Sequence, residues 1–237
     1  MTDFVLVHGA WSGAYRWRKL RPVLTHAGHN VFSPTLSGLA DREHLLSREI
    51  NLTTHIDDVA KLVEFEDLRD IVLVGHSYGG MVVTGAADRI ADRIAHLVYV
   101  DAFLPGDGQS LYSMGGGRRP GDGPADNEWL VPPAGNREWA SDAERDWNNS
   151  RRRPQPAACF SEPVHLAMPL EARDFTRTFI LAGADGETGF KRMYDEIEDN
   201  PKWRTHVFED ARHMIPETHV PQLTEVLLSL VAAKATA

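Results

Sequence analysis

The 237-residue chain is 42% hydrophobic and 25% charged, a composition suited to one globular domain with a sizeable core. Its formal charge of −9 opposes nucleic acid or an anionic membrane surface as a partner. The single cysteine, Cys159, cannot form an internal disulfide, and no paired Cys or His spacing points to a zinc site; a reducing cytoplasm is the expected compartment.

Phe4-Val5-Leu6-Val7 reads as a short buried strand. It begins so early that no signal peptide is expected before it, and no apolar run approaches the length of a membrane span. A glycine-bearing turn follows, His8-Gly9-Ala10-Trp11-Ser12-Gly13. Trp17, Leu20, Val23, Leu24 and Ala27 then recur at helical spacing and stop at Gly28. Asn30 to Pro34 gives a second strand, the segment from Thr35 to Asn51 a polar loop, and Thr53 to Phe65 a helix with Ile56, Val59, Ala60 and Val63 on one face.

The most informative stretch comes next. Ile71-Val72-Leu73-Val74 is an aliphatic run that stops at Gly75, followed by His76-Ser77-Tyr78-Gly79-Gly80 and a segment that can be helical. Strand, tight turn and helix around Gly-x-Ser-x-Gly form a nucleophile elbow, in which close backbone approach excludes side chains next to the serine. Ser77 is therefore the expected nucleophile.

Ile94 to Asp101 is a further strand, and strands alternating with helices of this length indicate a mostly parallel sheet covered on both faces. From Pro105 the texture changes. The chain is crowded with Gly and Pro and then carries Trp129, Trp139 and Trp147, which reads as an inserted helical cap over about 106–172, or as partial disorder between Gly115 and Asp126. The alternation resumes with a strand at Arg177–Leu181, a turn at Gly183–Gly186 and a helix through Phe190, Met193, Tyr194 and Ile197. Trp203–Phe208 is the last strand, His213 lies in the loop after it, and the final helix carries Leu223, Val226, Leu227, Leu230 and Val231 on one face. No internal repeat is visible. The arginine clusters Arg118-Arg119 and Arg151-Arg152-Arg153 read as solvated loop charges, and Cys159 as a small buried apolar residue.

A serine hydroxyl needs a base to take its proton and a carboxylate to hold that base in the right tautomer. His213 and Asp185 are the candidates, each in a loop after a predicted strand, with Asp101 as the rival acid at the end of the preceding strand. The oxyanion is expected on the backbone N–H groups of Tyr78 and Ala10. His8 and His76 read as structural partners at the sheet edge, since one elbow needs one base.

The His8-Gly9-Ala10-Trp11 turn, the Gly75-to-Gly80 elbow, the His213-Met214 loop, Pro34 to Leu39 and Tyr99 to Pro105 resemble the α/β-hydrolases related to plant methylesterases and hydroxynitrile lyases, and within that group bacterial pyrethroid-hydrolase-type carboxylesterases. The resemblance is close over the N-terminal half and fragmentary in the cap. It implies an α/β-hydrolase fold with a six-stranded sheet in one domain, residues 1–237, and it favours Asp185 as acid through a 28-residue interval to His213. It also implies a serine carboxylesterase that acts on bulky lipophilic esters through an acyl-enzyme, with no cofactor and no metal. A small-molecule ester is the expected partner; a homodimer stays open.

Candidate substrate contacts are Trp11, Trp129, Trp139, Trp147 and Met214, although the cap tryptophans could equally be core of that insertion. The lyases resemble one another in a threonine where Gly9 stands and a lysine where Met214 stands, so cyanohydrin cleavage is disfavoured. A thioesterase, a lactonase, a biosynthetic enzyme on the same triad or a slow-turnover ligand-binding protein remain alternatives.

Overall fold

The computed structural model describes residues 1–116, 129–133 and 141–232. Its main sheet has six strands in the order β2-β1-β3-β4-β7-β8: β1 (Asp3–Val7), β2 (Asn30–Phe32), β3 (Ile71–His76), β4 (Ile94–Val100), β7 (Thr176–Ala182) and β8 (Trp203–Phe208). Every pairing within it is parallel, as the strand–helix alternation implies. Between β4 and β7 the chain leaves the sheet. Its described residues there form the antiparallel pair β5 (Leu130–Val131) and β6 (Gln155–Pro156) and the short helices α4 (Asp142–Asn149) and α5 (Ala158–Ser161).

The strands are apolar on both sides, and alternate residues feed two separate cores. Phe4, Leu6, Val72, Val74, Val98, Val100 and Ile180 pack under α1 (Leu20–His26) and α8 (Val220–Ala232) through Leu20, Leu24, Leu223, Leu227 and Leu230. Val5, Val7, Leu73, Leu97, Tyr99, Phe179 and Leu181 face the other way, toward α2 (Leu52–Phe65), α3 (Gly79–Arg89) and the cap residues Val131, Cys159 and Phe160. α2 starts on a capping box: the Asn51 side chain accepts from the Thr54 amide while the Thr54 hydroxyl side chain accepts from the Asn51 amide.

Two local readings differ from the sequence expectation. The helix expected from Trp17 to Ala27 is divided into a single 3-10 turn, Ala14–Trp17, and α1. The polar loop before α2 contains a second 3-10 turn, Ala40–Leu45. The alternative of partial disorder between Gly115 and Asp126 falls mainly outside the described residues, and among those no helix is long and apolar enough to cross a membrane.

The strand order decides where chemistry can occur. After β1 the chain moves to β2 on one side, then returns past β1 to β3 on the other. The segments leaving the carboxyl ends of β1 and β3 therefore border the crevice at the point where the order reverses, the usual ligand site of an open α/β sheet. His8–Trp11 leaves β1 there, and Ser77 leaves β3.

Candidate active site

Ser77 has φ of +56°, a left-handed conformation that a non-glycine residue adopts only when its surroundings enforce it. They do so here. The Ser77 carbonyl accepts from the Gly80 and Phe103 amides at 3.0 and 3.1 Å. A Cβ on Gly75 would stand 2.7 Å from the Gly79 carbonyl oxygen, and one on Gly79 would stand 2.7 Å from that of Val7. The elbow glycines are thus required by backbone approach, as the motif implied.

Ser77 shares a cavity of about 20 Å3 with Ala10, Trp11, Arg16, Arg152, His213 and Met214, enough for roughly one water molecule. His213 is held on every side. Its Nδ1 lies 2.6 Å from Asp101 Oδ2, its backbone N–H donates to Asp185 Oδ2 at 2.7 Å, and its carbonyl accepts from His76 Nε2 at 2.8 Å. The Phe190 ring, on α6 (Gly189–Asp195), stacks nearly parallel to the imidazole with centroids 5.1 Å apart.

The two carboxylates therefore do different things from what the spacing suggested. Asp185 was the expected partner of the imidazole, and it grips the main chain of His213 instead. Asp101 turns back from the end of β4 with φ of +43° and is 2% exposed. Its Oδ1 accepts from the Ala182 amide at 3.1 Å and its own amide donates to the Ile180 carbonyl at 2.7 Å. β4 and β7 are neighbours, so both carboxylates emerge beside His213; Asp101 lies deeper and meets the ring.

The turn after β1 is built around His8. The Leu36 amide donates to its Nε2 at 3.1 Å, so Nδ1 carries the proton that bonds the Gly9 carbonyl at 2.8 Å. This neutral tautomer has no place for a second proton, and burial pushes the imidazole down to about 3. The unfolded chain binds that proton below pH 6.5 whereas the folded one does not until about pH 3, so stability present above pH 6.5 is lost as the pH falls. Urea titrations between pH 7 and pH 4.5 are expected to show a loss of about 1.4 kcal/mol per pH unit from each such histidine. His8→Gln should flatten that slope by about one proton; an unchanged slope would show that His8 does not contribute.

The expected oxyanion donors, the amides of Ala10 and Tyr78, donate to no other protein group among the described residues. Tyr78 is fixed from behind. His55 Nε2 donates to the Ser37 carbonyl at 3.0 Å, which leaves Nδ1 to accept the Tyr78 hydroxyl at 2.8 Å, and Phe160 packs edge-on against the Tyr78 ring. Burial raises the Tyr78 hydroxyl well above its ordinary range, lowers His55, and pushes the neighbouring Cys159 thiol up to about 12.

Of the expected substrate contacts, Trp11 and Met214 line the cavity. Trp129 lies 5.2 Å beneath the Arg48 guanidinium, and Trp147 stands edge-on to Tyr15 with the guanidinium groups of Arg18 and Arg151 at 3.8 and 3.9 Å from its ring. Neither borders the described cavity at Ser77; Trp139 lies outside the described residues. Two functional candidates were not anticipated. Arg16 is 4% exposed and donates to Asn148 Oδ1 at 2.9 Å and to Glu217 Oε1 at 3.4 Å, and Arg152, expected to be a solvated loop charge, reaches the same cavity. The available signal for Arg16 was a charge between Tyr15 and Trp17, flanked by aromatics just after the oxyanion turn. Among the described residues no group of three or more His, Cys, Asp or Glu side chains is arranged to hold a metal ion.

Comparison with known proteins agrees with this architecture. A model of the alpha/beta hydrolase family matches residues 4–224. A carbendazim hydrolyzing esterase from Nocardioides sp. is 38% identical over 221 residues, covering 88% of this chain and 91% of that protein. A methylesterase from Arabidopsis superposes with a TM-score of 0.78 at 24% identity, over 98% of this chain and 99% of that one. A pyrethroid hydrolase superposes with a TM-score of 0.72 at 17% identity over the full length of both. With the all-parallel sheet, the elbow at Ser77 and a match spanning nearly all its length, the chain belongs to the alpha/beta hydrolase family.

Proposed function

We propose that the protein is a serine carboxylesterase in which Ser77 is the nucleophile, His213 the base and Asp101 the acid that orients it. The observation that carries this reading is the 2.6 Å contact between His213 Nδ1 and Asp101 Oδ2 in the wall of the cavity that holds Ser77. His213 Nε2 takes the Ser77 Oγ proton as Oγ bonds to the ester carbonyl carbon. The amides of Ala10 and Tyr78 stabilise the oxyanion. The carbon–oxygen bond to the alcohol then breaks, and the departing alkoxide receives the proton from His213. A water molecule, deprotonated by the same imidazole, releases the acid from the acyl-enzyme and restores Ser77. Asp185 positions the His213 main chain, and Trp11 and Met214 supply apolar contact for the substrate. These steps use side chains and amides alone.

Gly9 supports hydrolysis over cyanohydrin cleavage. A Cβ at that position would stand 2.9 Å from Ser77 Cβ, so the threonine associated with the lyases does not fit this turn without displacing the nucleophile. The Nocardioides relative, a carbendazim hydrolyzing esterase, makes carbendazim a further compound to assay alongside the esters below.

Release of p-nitrophenol from acetate, butyrate and octanoate esters, by wild type and by Ser77→Ala, tests the reading, with mandelonitrile as the lyase control. Turnover by the wild type that is lost in Ser77→Ala is expected. Turnover that survives in Ser77→Ala, or cyanide release from mandelonitrile, would overturn it.

A further inference from the structure

The peptide plane between Ser77 and Tyr78 carries the carbonyl of one residue and the N–H of the other, pointing opposite ways. Its carbonyl end is fixed inside the elbow, where it accepts from the Gly80 and Phe103 amides. Its N–H end is different, because a donor that is to meet an oxyanion has to be left unbonded by the protein. Ser77 also keeps a left-handed backbone, a conformation that relaxes unless its surroundings oppose it. The only remaining hold on the N–H end is through Tyr78 itself, and its side chain is fully buried.

The Tyr78 hydroxyl reaches across to α2. His55 Nδ1 accepts from it at 2.8 Å, and His55 Nε2 donates to the Ser37 carbonyl at 3.0 Å. Ser37 in turn is gripped at its amide and its hydroxyl by Asp58, at 2.6 and 2.8 Å. His55 and Asp58 both belong to α2, about one turn apart, so the imidazole cannot rotate without breaking a bond at each nitrogen. Burial opposes protonation of His55 and preserves Nδ1 as an acceptor. The rings of His55 and Phe160 stand edge-on to that of Tyr78, with centroids 5.8 and 5.5 Å away. Phenylalanine at 78 and an aliphatic residue at 55 would fill the same core with no polar atom to satisfy. What the buried hydrogen bond adds to packing is direction.

We propose that His55 is a positioning residue for the oxyanion hole: by holding the Tyr78 hydroxyl, it sets where the Tyr78 main-chain N–H stands relative to the oxygen of the tetrahedral intermediate. This rests on the esterase reading and deepens it by assigning a transition-state role to a residue that does not line the cavity at Ser77. His55 touches no reacting atom and moves no proton. The charge on that oxygen forms only as Ser77 Oγ bonds to the carbonyl carbon, so a displaced amide lowers kcat and leaves ground-state binding unchanged.

The test uses His55→Leu, which removes the acceptor, Tyr78→Phe, which removes the hydroxyl, their double variant, and His55→Asn, whose amide oxygen can accept where Nδ1 did. On p-nitrophenyl butyrate each of the first two should lose about tenfold in kcat with KM within about twofold, a part of the roughly 10²–10³ that loss of a whole oxyanion donor costs. The double variant should lose no more than either single one, because both changes break the same bond. His55→Asn should recover most of kcat.

A readout that general damage to the core would not mimic is the ratio of inhibition constants for methyl pentyl ketone and trifluoromethyl pentyl ketone. The first only occupies the site. The second adds Ser77 Oγ to its carbonyl carbon, passes the Oγ proton to His213 and places an alkoxide on the two amides. The ratio should fall in step with kcat, by about tenfold in His55→Leu and in Tyr78→Phe, while thermal unfolding measures any loss of stability separately. Folded variants with wild-type kcat and ketone ratio overturn the proposal. So does a fall in kcat matched by equal weakening of both ketones, or a double variant in which the two losses multiply. Failure of the esterase reading looks different: the wild type would turn over no ester and bind both ketones alike, and the proposal would fall with it.

Discussion

Asp101→Asn is expected to lower kcat by about 10⁴-fold with the fold intact, because an amide at that place stabilises the wrong imidazole tautomer and cannot balance the imidazolium formed as Ser77 attacks. Asp185→Asn should cost far less, roughly tenfold, since an amide oxygen can still accept from the His213 backbone N–H. The comparison is sharp because the two carboxylates touch the same residue through different atoms, Nδ1 for Asp101 and the main-chain nitrogen for Asp185. Steady-state kinetics on p-nitrophenyl butyrate, with circular dichroism to verify folding, decides it. A larger loss from Asp185→Asn would transfer the acid role to Asp185.

The largest stability effect is expected at Glu217. Its carboxylate is fully buried beneath Arg16, Arg18 and Lys19, with N···O distances of 3.4, 3.5 and 3.8 Å. Burial pushes the acid upward against the pull of these three cations. Replacing it with leucine removes the carboxylate that balances the buried Arg16 guanidinium, a change that typically costs about 3–5 kcal/mol. For a chain of this length that corresponds to a fall in Tm of roughly 6–20 °C. The double variant Arg16→Met with Glu217→Leu should recover much of the loss, because it removes the buried cation along with its carboxylate. Calorimetry on the two single variants and the double variant measures this coupling; additive losses would show that the pair does not act as one unit.

How much of this was legible in the sequence depended on the physics at each place. The elbow was, because Gly75, Ser77 and Gly79 are dictated by local backbone approach over five residues, and local sterics leave a local signature. The sheet was also legible, since a strand buried on both faces cannot avoid an aliphatic run such as Ile71–Val74. The acid was not. β4 and β7 end side by side, so Asp101 and Asp185 emerge at the same edge, and which carboxylate reaches Nδ1 is settled by depth and by the positive φ at Asp101 rather than by chain spacing. Arg152 was obscure for a related reason. A run of three arginines in a polar segment reads as solvated, whereas in the fold Arg151 stacks on Trp147, Arg153 pairs with Glu43, and only Arg152 points to the cavity. Trp147 shows a further use of an aromatic ring that the sequence did not announce: it holds the guanidinium groups of Arg18 and Arg151.

The Trp147 arrangement has an optical consequence. Arg152 borders the cavity of about 20 Å3 beside Ser77, and its segment follows directly from the helix that carries Trp147. An indole with two full positive charges against its ring has an excited state tuned by their field. Withdrawal of Arg18 or Arg151 from the ring therefore shifts its emission, so a rearrangement of the Arg151–Arg152 segment on adding an ester would be visible in the protein's own fluorescence, without a label.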